Sequence, residues 1–180
     1  MALLHTGDRI CASCGGIDGR HEATCTGDES FEVISVYTRQ QAIEDGILVD
    51  CEQAPMGEMR RELLKWPLAM TTTAFHRYVW PTDEEADLSP GQSLEGRFWD
   101  VVWMFHAAVK GTVPARRIDP CNLLFDFYCI VADPALSSNE TIDATARSGP
   151  EEMRLVTLKA VSGPGDDGAP VMTFMLPDED

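Results

Sequence analysis

The clearest hydrophobic pattern of the chain is an apolar stripe within residues 92–110. Its members recur at intervals of three and four residues, and they are Leu94, Phe98, Val101, Val102, Phe105 and Val109. This spacing predicts an amphipathic helix, and Gly111 is a suitable residue to end it. Good helix formers in residues 56–66 predict a second helix. After Pro67, an apolar stripe that includes Leu68, Phe75 and Val79 predicts a third helix over residues 68–79.

A strand and a short helix are predicted before these elements. Alternation of apolar and polar residues over 31–37 predicts either a short strand or an extended lead-in to the next element. Thr38 and Gln41 have the spacing of a capping box, which predicts that a helix begins there and covers residues 39–45. Gly46 is suited to the left-handed position that follows such a helix.

The last third of the chain predicts strands. Aromatic and β-branched residues dominate the run 122–132, and two further strand-like runs, 153–162 and 171–176, flank a glycine-rich loop. The loop and its flanks predict a C-terminal β-hairpin. We therefore expect an α+β fold over residues 31–180, with a small antiparallel sheet of about three strands packed against the helices.

Composition changes this picture mainly through charge. The 180 residues include 14 basic and 30 acidic side chains, which gives a formal net charge of −16. Such a field opposes direct binding to nucleic acid or anionic lipid, because neutralising phosphates requires clustered lysine and arginine. It favours a protein partner with a basic surface. The sequence has neither an apolar stretch of membrane-spanning length nor the pattern of a signal peptide, so we expect a cytoplasmic location.

Residues 1–30 differ from the rest, because they have almost no apolar periodicity. They contain the spacing C-x2-C-x6-H-x3-C, which is formed by Cys11, Cys14, His21 and Cys25. Thiolate and imidazole ligands suit tetrahedral zinc, and four protein ligands leave no open coordination position. The pattern predicts a separate N-terminal module organised by a structural Zn²⁺ ion. The alternative is a set of unrelated surface thiols beside an ordinary histidine.

Elemental analysis of the purified protein is expected to find one zinc ion per chain. The Cys14→Ser variant lacks one thiolate, so it is expected to lose the metal together with the folding energy that metal binding supplies. A zinc content near zero in the unaltered protein would contradict the prediction.

Two pairs of residues have a chemical and an ordinary interpretation. His76 and His106 fall on predicted helices, where a histidine is either a general base beside carboxylates or a partly exposed side chain. Asp166 and Asp167 lie in the glycine-rich loop, either as ligands of a divalent cation or as part of a solvated turn. The ordinary interpretation is favoured for both pairs, because neither a nucleophile nor further oxygen ligands stand at a suitable spacing.

The predicted partner surface combines aromatic and acidic residues. Trp99 and Trp103 are one helical turn apart, on a face displaced from the apolar stripe. The acidic run of Asp83, Glu84 and Glu85 is either a solvated linker or an anionic docking patch.

Two segments together resemble an uncharacterised family carried by phages, plasmids and bacteria. Residues 36–50, Val-Tyr-Thr-Arg-Gln-Gln-Ala-Ile-Glu-Asp-Gly-Ile-Leu-Val-Asp, are similar to the start of that family. Residues 158–177, Leu-Lys-Ala-Val-Ser-Gly-Pro-Gly-Asp-Asp-Gly-Ala-Pro-Val-Met-Thr-Phe-Met-Leu-Pro, are similar to its end. The resemblance covers residues 31–180 and implies a mobile-element context, without implying an activity. The N-terminal cysteine segment lies outside it and only loosely resembles a zinc knuckle.

Three functional hypotheses follow. The leading one is a non-enzymatic, acidic accessory protein of a phage or mobile element, which binds a host or phage protein in the host cell cytoplasm. A basic nucleic-acid-binding surface on that protein is one candidate target. The alternatives are an enzyme that uses a helix histidine with carboxylates, and a zinc-dependent nucleic-acid accessory factor. The last is disfavoured by the two arginines and five acidic residues of the N-terminal module.

Overall fold

A computed structural model describes residues 8–11, 30–32, 36–83, 85, 91–130 and 153–179. The helices of these ranges are α1 (Arg39–Glu44), α2 (Met56–Leu63), α3 (Thr72–Tyr78) and α4 (Leu94–Val109). The strands are β1 (Arg9–Cys11), β2 (Ser30–Glu32), β3 (Leu48–Asp50), β4 (Leu68–Thr71), β5 (Ala115–Arg117), β6 (Asn122–Ile130), β7 (Met153–Pro164) and β8 (Pro170–Met175).

The main sheet has six strands in the order β3-β4-β8-β7-β6-β5. All neighbouring pairs are antiparallel except β4 and β8, which are parallel. The prediction of an α+β fold with about three antiparallel strands was therefore wrong about the sheet, which is twice as wide and mixed. The hairpin of β7 and β8 was predicted, but the strands that widen the sheet on both sides of β6, β7 and β8 were not.

Strand β4 corrects the prediction of a helix over residues 68–79. Leu68, Ala69 and Met70 follow one another in the chain, and all three are fully buried. Burial of consecutive residues is expected for a strand covered on both faces, whereas a surface helix buries only one of its sides. The helix α3 begins only after Thr71, whose hydroxyl oxygen accepts a hydrogen bond from the Ala74 N–H at 3.3 Å. The prediction was wrong for residues 68–71, because they pair with β3 and β8 in the sheet.

Helices α3 and α4 cover one face of the sheet. On α4, the Phe105 ring lies 5.3 Å from Phe125 of β6 and 4.9 Å from Phe174 of β8, measured between centroids. On α3, the Tyr78 ring meets Phe127 edge to face at 5.8 Å. The apolar stripe predicted for α4 is buried as expected at four of its positions, whereas Val109 is exposed.

Local end signals were predicted correctly. Thr38 and Gln41 form the reciprocal capping box of α1, and Gly46 follows that helix with a φ of 73°. Gly111 follows α4 with a φ of 72°, and Gly168 takes the left-handed conformation in the turn between β7 and β8.

The two segments that carry the family resemblance contact each other. The carboxylate of Asp166, in the β7–β8 turn, accepts hydrogen bonds from the N–H groups of Arg39 at 2.8 Å and Gln40 at 2.9 Å. The Arg39 guanidinium donates to the Thr173 hydroxyl at 2.8 Å and to the Met172 carbonyl at 3.1 Å. Asp166 therefore fixes the hairpin to the start of α1, where the helix dipole also favours a negative charge.

The Asp166→Asn variant is expected to lower the free energy of unfolding by about 1 kcal/mol, the usual effect of weakening a helix cap. Chemical denaturation followed by circular dichroism measures this. Asp178→Asn is the matched control, because it removes one charge from an exposed side chain for which no hydrogen bond occurs among the described residues. Equal stability of both variants would show that the contact between the two segments is energetically neutral.

Candidate functional site

The solvent side of α4 carries a row of stacked aromatic rings. The Trp99 and Trp103 rings stack at 6.2 Å between centroids with planes 25° apart, and Trp103 and His106 stack at 6.3 Å and 26°. We call these three residues the tryptophan face. Trp103 is 51% exposed although it is among the largest side chains of the protein.

The periodicity of α4 produces this face. Phe98, Val101, Val102 and Phe105 turn one side of the helix into the core. Residues 99, 103 and 106 recur at helical spacing on another side, as expected from their sequence positions. The structure thus brings Trp99 and Trp103 together, and it adds His106, which the sequence suggested only as a candidate general base.

The two candidate histidines have packing roles in the structure. His106 is half-buried, and its Nδ1 lies 3.0 Å from the Leu63 carbonyl oxygen at the end of α2. A carbonyl accepts only, so this nitrogen carries the proton. His76 is exposed, and its ring lies 5.8 Å from the Trp80 ring. Neither histidine lines the cleft described next, and the histidine-based enzyme stays a hypothesis.

A small cleft of about 70 Å³ lies between α4 and β6, next to Arg97 and Asp100. Its described lining comes from α3, α4, β6 and the segment just before α4. The residues are Tyr78, Gln92, Arg97, Asp100, Phe127, Tyr128, Cys129 and Ile130. Burial raises the pKa of the Cys129 thiol to about 12, so at neutral pH it is a protonated, apolar wall rather than a nucleophile. We call this feature the α4 cleft.

Arg97 and Glu85 form a buried ion pair at the α4 cleft. The guanidinium donates to the Glu85 carboxylate at 2.8 Å, to the Gln92 side-chain oxygen at 3.1 Å and to the Ile130 carbonyl at 3.1 Å. Both charged side chains are only 4% exposed. The prediction that Glu85 belongs to an exposed docking patch was therefore wrong, because its carboxylate is already neutralised inside the fold. Asp83 is exposed, and Glu84 lies outside the described residues.

Asp100 was not singled out from the sequence. It follows Trp99 on α4 and lines the α4 cleft, and partial burial raises the pKa of its carboxyl above the ordinary value. Arg97 was also missed, although a signal existed: a charged residue sits directly before Phe98, four residues ahead of Val101, on the apolar side of the predicted helix. A charge at such a position requires a buried partner.

The zinc prediction falls mainly on the undescribed part of the chain. Cys14, His21 and Cys25 lie outside the described ranges, and only the backbone of Cys11 is placed, in β1, where it pairs with Ser30 of β2. Among the residues that are described, no group of three or more histidine, cysteine, aspartate or glutamate side chains could hold a metal ion. The four-ligand site stays a prediction.

The loop aspartates are placed differently from a cation site. Asp166 caps α1, and one Asp167 oxygen accepts a hydrogen bond from the Ala169 N–H at 2.9 Å within the turn. This agrees with the interpretation of a hairpin turn. Within the described ranges, no helix has both the length and the apolar character needed to cross a lipid bilayer.

Comparisons with known proteins identify a family whose function is unknown. No curated protein and no solved structure shows a significant match to the chain. A model described as a family of unknown function, DUF6573, matches residues 28–180. This confirms that the resemblance of residues 31–180 is to an uncharacterised domain, whereas the phage and plasmid context stays a prediction. The chain belongs to the DUF6573 family of unknown function, which its residues 28–180 match.

Proposed function

We propose that this protein is a non-enzymatic, acidic binding protein that recognises a protein partner with a basic surface through the tryptophan face of α4. The observation that carries the proposal is the half-exposed Trp103, stacked between Trp99 and His106 on the solvent side of a helix. A surface tryptophan held by its neighbours is the type of side chain that most often dominates a protein interface.

The stacking matters energetically because it limits motion before binding. Side chains that are ordered only on association reduce affinity through lost rotamer freedom. Trp103 is in ring contact on both sides along the helix, and the helix itself is anchored in the core through Phe98 and Phe105. The partner therefore meets a surface that is already arranged.

Charge supports a basic partner. The chain carries −16 overall, and the exposed carboxylates of Glu95 and Asp100 flank the tryptophans on α4. Long-range attraction of this kind accelerates encounter with cationic surfaces and weakens as salt is raised. A host or phage protein in the cytoplasm, including one with a nucleic-acid-binding surface, is the class of partner that we propose for a mobile-element accessory protein.

Trp103→Ala is expected to weaken partner binding by at least about tenfold, since it removes the most exposed ring of the face. Affinity purification with quantitative mass spectrometry identifies the partner, and the dissociation constant is then measured with purified proteins at low and high salt. Trp80→Ala is the matched control, because Trp80 is 50% exposed but follows α3. Binding that is unchanged in Trp103→Ala, or equally reduced in both variants, would refute the proposed face.

A further inference from the structure

Asp100 connects the tryptophan face to the α4 cleft. It lies directly after Trp99 and three residues before Trp103, and its side chain also lines the cleft. Because Asp100 and Trp103 are one helical turn apart, we expect a partner seated on the tryptophan face to reach the cleft. The volume of about 70 Å³ is far below that of small-molecule sites, so the cleft has room for the end of one side chain and not for a nucleotide or cofactor.

The charge of the cleft comes from Asp100. The guanidinium of Arg97 is paired with the Glu85 carboxylate at 2.8 Å, so these two charges cancel. Asp100 makes no ion pair within the part of the chain that the structure describes. The lining thus carries one uncompensated negative charge, which favours a cationic group.

The edge of β6 adds neutral acceptors. Strand β5 pairs with β6 only as far as Phe125, and no described strand pairs with that edge beyond it. The Asn122 carbonyl faces β5, where it accepts from the Ile118 N–H, and the Ile130 carbonyl accepts from Arg97 on the same side. Backbone groups alternate along a strand, so the Tyr128 carbonyl also points to this edge.

Arg97 shows which group suits such a lining. Its guanidinium is held by a carboxylate, an amide oxygen and a β6 carbonyl, namely those of Glu85, Gln92 and Ile130. The Asp100 carboxylate and the Tyr128 carbonyl offer a second guanidinium two acceptors of the same kinds. Guanidinium also stacks on indole rings, and Trp103 lies one helical turn after Asp100 on α4.

We propose that the α4 cleft receives an arginine side chain of the protein partner, with the guanidinium bound by the Asp100 carboxylate and the Tyr128 carbonyl. This inference rests on the proposed function, because it names the basic group that the partner places beside the tryptophan face. Partial burial raises the pKa of Asp100 above its ordinary value, and a bound guanidinium would lower it again.

The test is a titration of the full chain, labelled with ¹⁵N, with a capped tripeptide that has one arginine between two glycines. Its citrulline counterpart has nearly the same shape but no charge. We expect the arginine peptide to shift the amide resonances of Asp100 and Tyr128 at millimolar concentration, and the citrulline peptide to leave them in place. Asp100→Asn is expected to weaken arginine binding by about fivefold.

Asp178→Asn is the matched control, because it removes the charge of an exposed aspartate that does not line the cleft. Thermal melting verifies that both variants fold, and Asp100→Asn is not expected to melt below the unaltered protein at pH 7. Equal shifts with arginine and citrulline, or equal effects of the two variants, would overturn the inference. The titration needs no partner, so it can fail while Trp103→Ala still weakens partner binding, and the reverse outcome is equally distinguishable.

Discussion

Replacement of Gly57 by alanine is expected to lower the free energy of unfolding by about 3 kcal/mol or more, which places it among the most damaging single substitutions. A Cβ atom built on Gly57 lies 1.9 Å from the Glu52 carbonyl oxygen and 2.5 Å from its carbonyl carbon. Real Cβ atoms do not approach backbone so closely, so the turn between β3 and α2 has to open.

The turn has little freedom to open, because the carboxylate at the end of the Glu52 side chain is held by two contacts. One carboxylate oxygen accepts a hydrogen bond from the Leu68 N–H of β4 at 2.9 Å, and the other forms an ion pair with Arg60 of α2. The Gly57 N–H itself donates to the Gln53 carbonyl at 2.8 Å. Movement of this turn therefore disturbs β4, which is buried in the sheet.

Urea denaturation of the purified variants measures the effect. Gly163→Ala is the matched control, since a Cβ at Gly163 in β7 meets nothing within 4 Å and its φ lies outside the left-handed region. We expect the control to differ from the unaltered protein by less than about 1 kcal/mol. Similar midpoints for Gly57→Ala and the control would show that the turn adapts and that the close approach is not what requires glycine.

The parts of the fold that the sequence predicts are those set by neighbouring residues. The capping box of Thr38 and Gln41, the stops at Gly46 and Gly111 and the buried stripe of α4 each depend on contacts within about one helical turn. The β7–β8 hairpin is likewise encoded by a glycine-rich loop between strand-like runs. Such signals are visible in the order of residues alone.

The rest of the fold depends on contacts between distant residues. Strand β4 was mistaken for helix because only its burial beside β8, about a hundred residues later, makes it a strand. Strand β5 consists of Ala115, Arg116 and Arg117, all exposed, and has no hydrophobic pattern to reveal it. The contact of Asp166 with Arg39 joins residues 127 positions apart and has no local signal.

The candidate site divides in the same way. The i, i+4 spacing of Trp99 and Trp103 predicted a shared face, because helical geometry alone fixes it. The α4 cleft could not be predicted, since its wall combines α4 with the β6 edge that β5 leaves uncovered. Glu85 was assigned to an exposed patch because its neighbours in sequence are acidic, whereas its partner, Arg97, lies twelve residues away.

Arg97→Met is expected to lower the free energy of unfolding by about 3 to 5 kcal/mol, the range found when one partner of a buried ion pair is removed. In the unaltered protein the Arg97 guanidinium lies 2.8 Å from the Glu85 carboxylate. The substitution removes this guanidinium and leaves the carboxylate buried. It also removes the donors to the Gln92 side chain and the Ile130 carbonyl, so α4 loses a direct hydrogen bond to β6.

A double variant separates the charge from the packing. Methionine is long enough to fill much of the space of the arginine stem, and leucine in place of Glu85 removes the buried negative charge. Arg97→Met combined with Glu85→Leu is therefore expected to recover a large part of the lost stability, because replacing both partners of a buried pair by apolar groups is often nearly neutral. Urea denaturation of the two single variants and the double variant gives the coupling energy. If the losses of the two single variants simply add in the double variant, Arg97 stabilises the protein through packing and its hydrogen bond to β6. The ion pair with Glu85 would then make no net contribution to stability.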